Sequence, residues 1–258
     1  MTTTPTIRAI RIFSLIYGAV FSAGSYADGL SDLHNALDSL KQTSPFAAKV
    51  NASLTRATPD KAAHASIEGH TQFTLKQNPS GLEISYPSEL LSAIDKEASV
   101  KKQNPQAPTP TTDAMNRFKY AEFSILFNPV RDIQEDLRKA TLVKEEPVDF
   151  QGQAARLLHL QIPLEKLSEE EQKNLKKYQT DLKIWINEKG IPLASRSTGN
   201  GSGRFAVVIG FEFHFDVEKS YITHGDRLLV NTLTSTVKSS GAGMNDNETI
   251  KANLALAN

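Results

Sequence analysis

From Phe205 to Val217 the chain alternates without a break. Phe205, Val207, Ile209, Phe211, Phe213, Phe215 and Val217 take the odd positions, while Gly210, Glu212, His214 and Asp216 fall between them. A period of two belongs to a β-strand with one dry face and one wet face. A helix would scatter the same residues around its circumference. The pattern recurs near the start of the chain. Phe46, Ala48, Val50, Ala52 and Leu54 alternate with Ala47, Lys49, Asn51, Ser53 and Thr55. Ala63, Ala65, Ile67, Gly69, Thr71, Phe73 and Leu75 alternate with His64, Ser66, Glu68, His70, Gln72, Thr74 and Lys76. Several long strands with one wet face predict an antiparallel sheet rather than a parallel one covered on both sides.

Helices punctuate the strands. Asp28 is a candidate N-cap, and Leu30, Leu33, Leu37 and Leu40 form one apolar stripe at helical spacing. Asn78-Pro79-Ser80-Gly81 reads as a turn, followed by a short strand through Leu82, Ile84 and Tyr86. Residues 88–102 read as a helix. Gln103 to Thr112, with Pro105, Pro108 and Pro110, reads as a flexible or polyproline-like loop inserted into one domain. Asn128-Pro129 opens a helix whose acids precede its bases. Strands are expected at 141–150 and 153–162. Ser168 and Glu171 form a capping box for a helix to about Tyr178. Leu182, Ile184 and Ile186 form a strand that turns at 187–190 into Ile191 to Ser197, with Trp185 on its opposite face. Thr198-Gly199-Asn200-Gly201-Ser202-Gly203 is expected to be a glycine-rich turn. Two strands, about 227–238 and 248–256, close the chain.

Composition narrows the function. Lys plus Arg and Asp plus Glu both total 29, so the basic excess of a nucleic-acid binder is missing. Cysteine is absent, which removes disulfides, thiolate chemistry and Cys-linked lipid anchors. The first 27 residues have the form of a secretory signal. Arg8 and Arg11 precede the apolar run Ile12–Phe21, and Ser25-Tyr26-Ala27 offers small residues for signal peptidase. The run falls short of the about 20 residues that span a bilayer. An uncleaved N-terminal anchor is the alternative. The expectation is a periplasmic protein that is not an integral membrane protein, with residues 28–258 as one domain.

No catalytic constellation is evident: there is no nucleophile elbow, no HExxH and no Walker loop. No enzymatic activity, cofactor or metal is therefore expected. His64, Glu68 and His70 share a strand face, as do Glu212, His214 and Asp216. Alternation puts polar residues on a wet face in any case, and i, i+2 positions lie about 7 Å apart, awkward for one ion. Arg56 continues the apolar face of the first strand and marks either its wet end or the rim of a cavity.

The segment from Leu30 to Leu40, Phe46-Ala47-Ala48-Lys49-Val50, the glycine-bearing run Ile67 to Lys76, and Tyr86-Pro87 together resemble the opening of the periplasmic lipoprotein carriers of the LolA/LolB type. Leu182-Lys183-Ile184-Trp185-Ile186-Asn187 with Gly190-Ile191-Pro192-Leu193 resembles that superfamily's late hairpin. The turn Lys76-Gln77-Asn78-Pro79 lacks the arginine that the carriers place before proline, and 88–128 has no counterpart. The resemblance implies an α+β fold, a curved antiparallel incomplete β-barrel (half-barrel) with helices covering the concave face. It also implies an apolar concavity for the acyl chains of a lipid, lipoprotein or other amphiphile. The apolar faces nominate Val50, Leu54, Ile67, Phe73, Ile84, Phe211, Phe213 and Phe215 as its lining. The other reading is an envelope interaction or stress-sensing module whose core is filled by its own side chains and whose partner is another envelope protein. A monomer is expected in either case.

Overall fold

The alternating segments form strands that join edge to edge because each has one face to bury, with one correction: the run 205–217 is not a single strand, since Phe205 ends one strand and pairs with Ile209 at the start of the next. The computed structural model describes residues 28–57, 66–118, 120–205 and 209–257. The expected signal sequence, Ala63, His64, Ala65 and Val207 lie outside the described residues.

Helix α1 (Gly29–Ser39) is capped by the Asp28 side chain, which accepts from the Leu30 N–H. Strands β1 (Phe46–Ala57), β2 (Ser66–Asn78) and β3 (Gly81–Ser85) follow as a meander. Four helices come next: α2 (Ser88–Gln103), α3 (Pro110–Arg117), α4 (Tyr120–Phe127) and α5 (Pro129–Lys139). Strands β4 (Thr141–Phe150) and β5 (Gln153–Gln161) lead to a 3₁₀ turn at Leu164–Lys166 and helix α6 (Glu169–Gln172). The chain ends with β6 (Leu175–Ile186), β7 (Pro192–Phe205), β8 (Ile209–His224), β9 (Arg227–Gly241) and β10 (Met244–Leu256).

The ten strands make one antiparallel sheet in the order β3-β2-β1-β10-β9-β8-β7-β6-β5-β4. The last strand pairs with the first, Val50 opposite Leu254, so the two meanders share a seam. The sheet is not closed; β3 and β4 are its edges. One face carries most of the apolar positions of the long strands. On it Leu33 and Leu37 of α1, Phe123 and Leu126 of α4, and Ile133 and Leu137 of α5 join Val50, Phe73, Leu158, Ile184 and Leu254 in one core. The other face is largely polar, except over β4 to β7, where Ala155, Leu157 and Ala194 are buried and the Trp185 ring lies 5.8 Å from Phe150. Among the described residues no helix is long and apolar enough to cross a membrane.

Three further expectations need correction. The glycine-rich run 198–203 is no turn: it lies inside β7, paired with β6 on one side and β8 on the other. The capping box at Ser168 and Glu171 forms as expected, yet α6 lasts only four residues and β6 already starts at Leu175. The proline-rich loop is shorter than expected. Pro110 opens α3 at its first turn, where a missing N–H costs nothing. Glu97 of α2 reaches across to α3 and accepts from the Thr111 and Thr112 N–H groups (2.7 and 2.9 Å) and from the Thr112 hydroxyl. These bonds hold the Glu97 carboxyl below the usual range against the upward push of burial. Helices α3 and α4 were not foreseen. Tyr120–Phe127 is apolar nearly throughout and so shows no amphipathic period.

Candidate functional site

The eight nominated side chains all stand on the apolar face. Register pairs Val50 with Phe73, Leu54 with Gly69, and Leu75 with Ile84. The β8 trio reaches the same face through β9 and β10, with Phe215 opposite Val237 and Val237 opposite Glu248. The structure nevertheless divides them into two environments. Val50, Leu54 and Phe73 are buried. Phe73 packs against Phe123 of α4 (ring centroids 5.4 Å) and Tyr86 (6.0 Å). Ile84 is half-buried beside them. Phe211, Phe213 and Phe215 are half-buried at the opposite end of the strands, and Ile67 is exposed.

At that opposite end, cover comes from a neighbouring strand. Gly199, Gly201 and Gly203 of β7 stand opposite Phe215, Phe213 and Phe211 of β8. A Cβ added at Gly199 or Gly201 would lie 2.5 Å from the tip of its phenylalanine ring, and at Gly203 2.6 Å. The rings therefore lie down over the bare β7 backbone. They form a row with centroids 6.4 Å apart and planes inclined by 17° and 15°. Tyr178 of β6 extends the row, 6.5 Å from Phe213. Val237 and Ile209 are exposed beside it. The result is a smooth aromatic floor that no helix covers among the described residues.

A charged network marks the border between the two environments. Arg56, Glu248, Val237 and Phe215 stand in register across β1, β10, β9 and β8. Glu248 is only 5% exposed, and each of its oxygens takes an arginine: Arg56 Nη2 donates at 2.7 Å and Arg117 Nε at 2.7 Å. Asp246 lies 3.8 Å from Arg56. The arginines are 38% and 48% exposed on their outer sides. The network raises the Arg56 pKa, chiefly through the Glu248 hydrogen bond, and ties the end of α3 to the sheet. Arg56 is thus a paired border residue on the apolar face.

A second polar cluster sits under α5. A cavity of about 30 Å³ is lined by Asp136 of α5 and by Ser195, Lys219 and Tyr221 of the sheet, among apolar neighbours. That volume suits a water molecule rather than a ligand. Burial lowers the Lys219 pKa, opposed by Asp136 and Asp132; burial raises both aspartates, opposed by Lys219. The Ser195 and Tyr221 hydroxyls share a hydrogen bond of 2.7 Å. Burial drives the Tyr221 pKa far upward, so the phenol stays protonated and supplies Ser195 with no general base.

Among the described residues no three His, Cys, Asp or Glu side chains are placed to hold an ion. His70 and Glu68 are exposed and 3.5 Å apart, and Asp216 is committed to Arg196 at 2.7 Å. Two features went unread in the sequence: the Glu248 network and the aromatic floor. The floor left a trace, because glycines at 199, 201 and 203 mirror phenylalanines at 211, 213 and 215 at the same spacing.

No family model matches the chain, and no curated protein matches it. Among solved structures, a crystal structure of MucB in complex with MucA(peri) aligns over 88% of this chain and 94% of that chain, at 9% identity and a TM-score of 0.16. Likeness at that level carries no argument about fold or function.

Proposed function

We propose that this chain is an exported, non-enzymatic periplasmic protein that takes an acyl chain of a lipid, lipoprotein or other amphiphile on the aromatic floor of its sheet. In this reading the sheet curls as a half-barrel, with its helices on the concave side and its phenylalanine end left for the ligand. One observation carries it: Phe211, Phe213 and Phe215 keep an aligned, half-open apolar surface although helices cover the same face elsewhere. Each CH₂ withdrawn from water against such a floor contributes about 0.8 kcal/mol, so a short acyl segment suffices for measurable affinity. Val50, Leu54 and Phe73 act by supporting the fold, while Val237 and Ile209 flank the ligand.

The test is binding of a fluorescent fatty-acyl probe to delipidated protein. Binding that Phe213→Ser weakens at least tenfold, with the folded baseline intact, supports the proposal. A protein that binds no acyl probe overturns it. Native mass spectrometry of protein purified from its own host adds the identity of a co-purifying lipid. A second reading, an envelope protein-interaction or stress-sensing module with a filled core, draws on the solid packing of Phe73, Tyr86 and Phe123. Under that reading a partner protein, and no lipid, co-purifies.

A further inference from the structure

The polar face behind the aromatic floor differs from the rest of that face. Farther along the same strands, charges are matched. Arg196 makes two bonds to Asp216 (2.7 and 3.1 Å) and lies 3.3 Å from Glu218, and Lys183 lies 3.7 Å from Asp181. Behind the floor the matching stops. Two adjoining hollows of about 740 and 410 Å³ share Ser202, Glu212 and Ser240. Lys177 and Lys238 line the larger, Lys176 and Arg204 the smaller. All four cations are exposed, and among the described residues none makes an ion pair. Glu212 is the acid on this face between them, with His214 beside it; Asp246, which also borders the larger hollow, is engaged with Arg56. The whole chain is charge-balanced, so this cationic excess is a segregation of charge.

We propose that this end of the sheet docks on an anionic membrane surface, with Lys176, Lys177, Arg204 and Lys238 meeting lipid phosphates. A soluble anionic glycan would also satisfy the four cations. The membrane is favoured because the same strand ends expose Ile209 and Val237 and half-expose three phenylalanines on their other face. Cations backed by apolar side chains suit the boundary between headgroups and acyl chains. The proposal rests on the amphiphile reading and adds the place where the ligand is met.

The experiment measures co-sedimentation of the purified protein with vesicles of phosphatidylcholine alone and of phosphatidylcholine mixed with phosphatidylglycerol. Binding is expected on the mixed vesicles only and is expected to fall as salt rises. Each of Lys176→Gln, Lys177→Gln, Arg204→Gln and Lys238→Gln is expected to weaken it about fivefold. Circular dichroism controls for folding, since all four side chains are exposed. Equal binding to both vesicle types, insensitivity to the four substitutions, or binding to a soluble sulfated polysaccharide with none to vesicles overturns the proposal. The acyl probe is read in parallel without vesicles. Loss of probe binding with vesicle docking intact removes the amphiphile reading alone; retained probe binding without docking removes this proposal alone.

Discussion

One face of one sheet is finished in two ways. Around Val50 and Phe73 it is roofed by helices, and large side chains from α1, α4 and α5 interlock with it. Around Phe213 no helix among the described residues roofs it, and the sheet shields itself by laying rings on glycines of the next strand. Both regions obey the same alternation. Alternation therefore specifies which side chains share a face, while burial needs a second layer that the strand cannot supply. Removing Cβ atoms from a neighbour is a partial substitute: it hides one side of each ring and leaves the other side open.

The strongest way to break this comparison is to truncate a ring in each region. Phe73→Ala is expected to cost about 3–5 kcal/mol in urea unfolding, because helices cannot collapse fully into the space left. Phe213→Ala should cost about 1 kcal/mol or less while lowering acyl-probe affinity, since half of the ring never left water. Equal losses would make the phenylalanine row structural rather than receptive. At the border, Glu248→Gln leaves Arg56 and Arg117 without their shared carboxylate. Their outer exposure softens the penalty, so about 2–3 kcal/mol is expected from the same unfolding measurement. Urea sensitivity unchanged from wild type would mean that the network is ornamental and α3 is held by packing alone.

The floor itself is sharpened by a glycine pair. Gly201→Ala would press a methyl group against the Phe213 ring and near the Lys177 carbonyl oxygen (3.0 Å), at an expected cost of about 1–3 kcal/mol. Gly210→Ala meets nothing within 4 Å and should stay within about 0.5 kcal/mol of wild type. Thermal melts of the two variants, together with their probe affinities, separate close approach from general intolerance of side chains. A further small effect lies outside both regions. Glu171 caps α6 through Ser168 and pairs with Lys139, which depresses its pKa to about 2. A depressed carboxylate adds stability that is present above its unfolded value and is lost as pH falls through the folded one. Glu171→Gln should therefore cost about 0.5–1 kcal/mol near pH 7 and nothing at the acid limit, where both proteins unfold alike. A penalty that persists in acid would show that the side chain acts through packing instead of charge.

Local chemistry was legible wherever it was self-contained. Asp28 caps α1, Pro129 opens α5, and the box of Ser168 and Glu171 closes, because each involves neighbours within one turn of the chain. The hairpin of β4 and β5 was equally readable from its alternation and the break near Gly152. The failures share one cause. Glycines at 199, 201 and 203 look like turn residues until the phenylalanines of β8 are laid over them, and that contact depends on strand register. The α4 sequence is an almost unbroken apolar run, so no amphipathic period marks it. Glu248 looks like an ordinary wet-end acid, yet it is buried by Arg56 of β1 and Arg117 of α3, both far away in sequence.

Backbone pleating sends successive side chains to opposite sides whatever the rest of the chain does. The amino-acid order alone therefore settled that Val50, Phe73 and Phe213 would face one way and Lys49, Asn51 and His214 the other. Which part of the dry side meets helices, which part stays open, and where unmatched cations gather depended on ten strands finding their register and on helices from the middle of the chain docking over some of them. Those are contacts between distant segments, and their energies exist only once the segments have met.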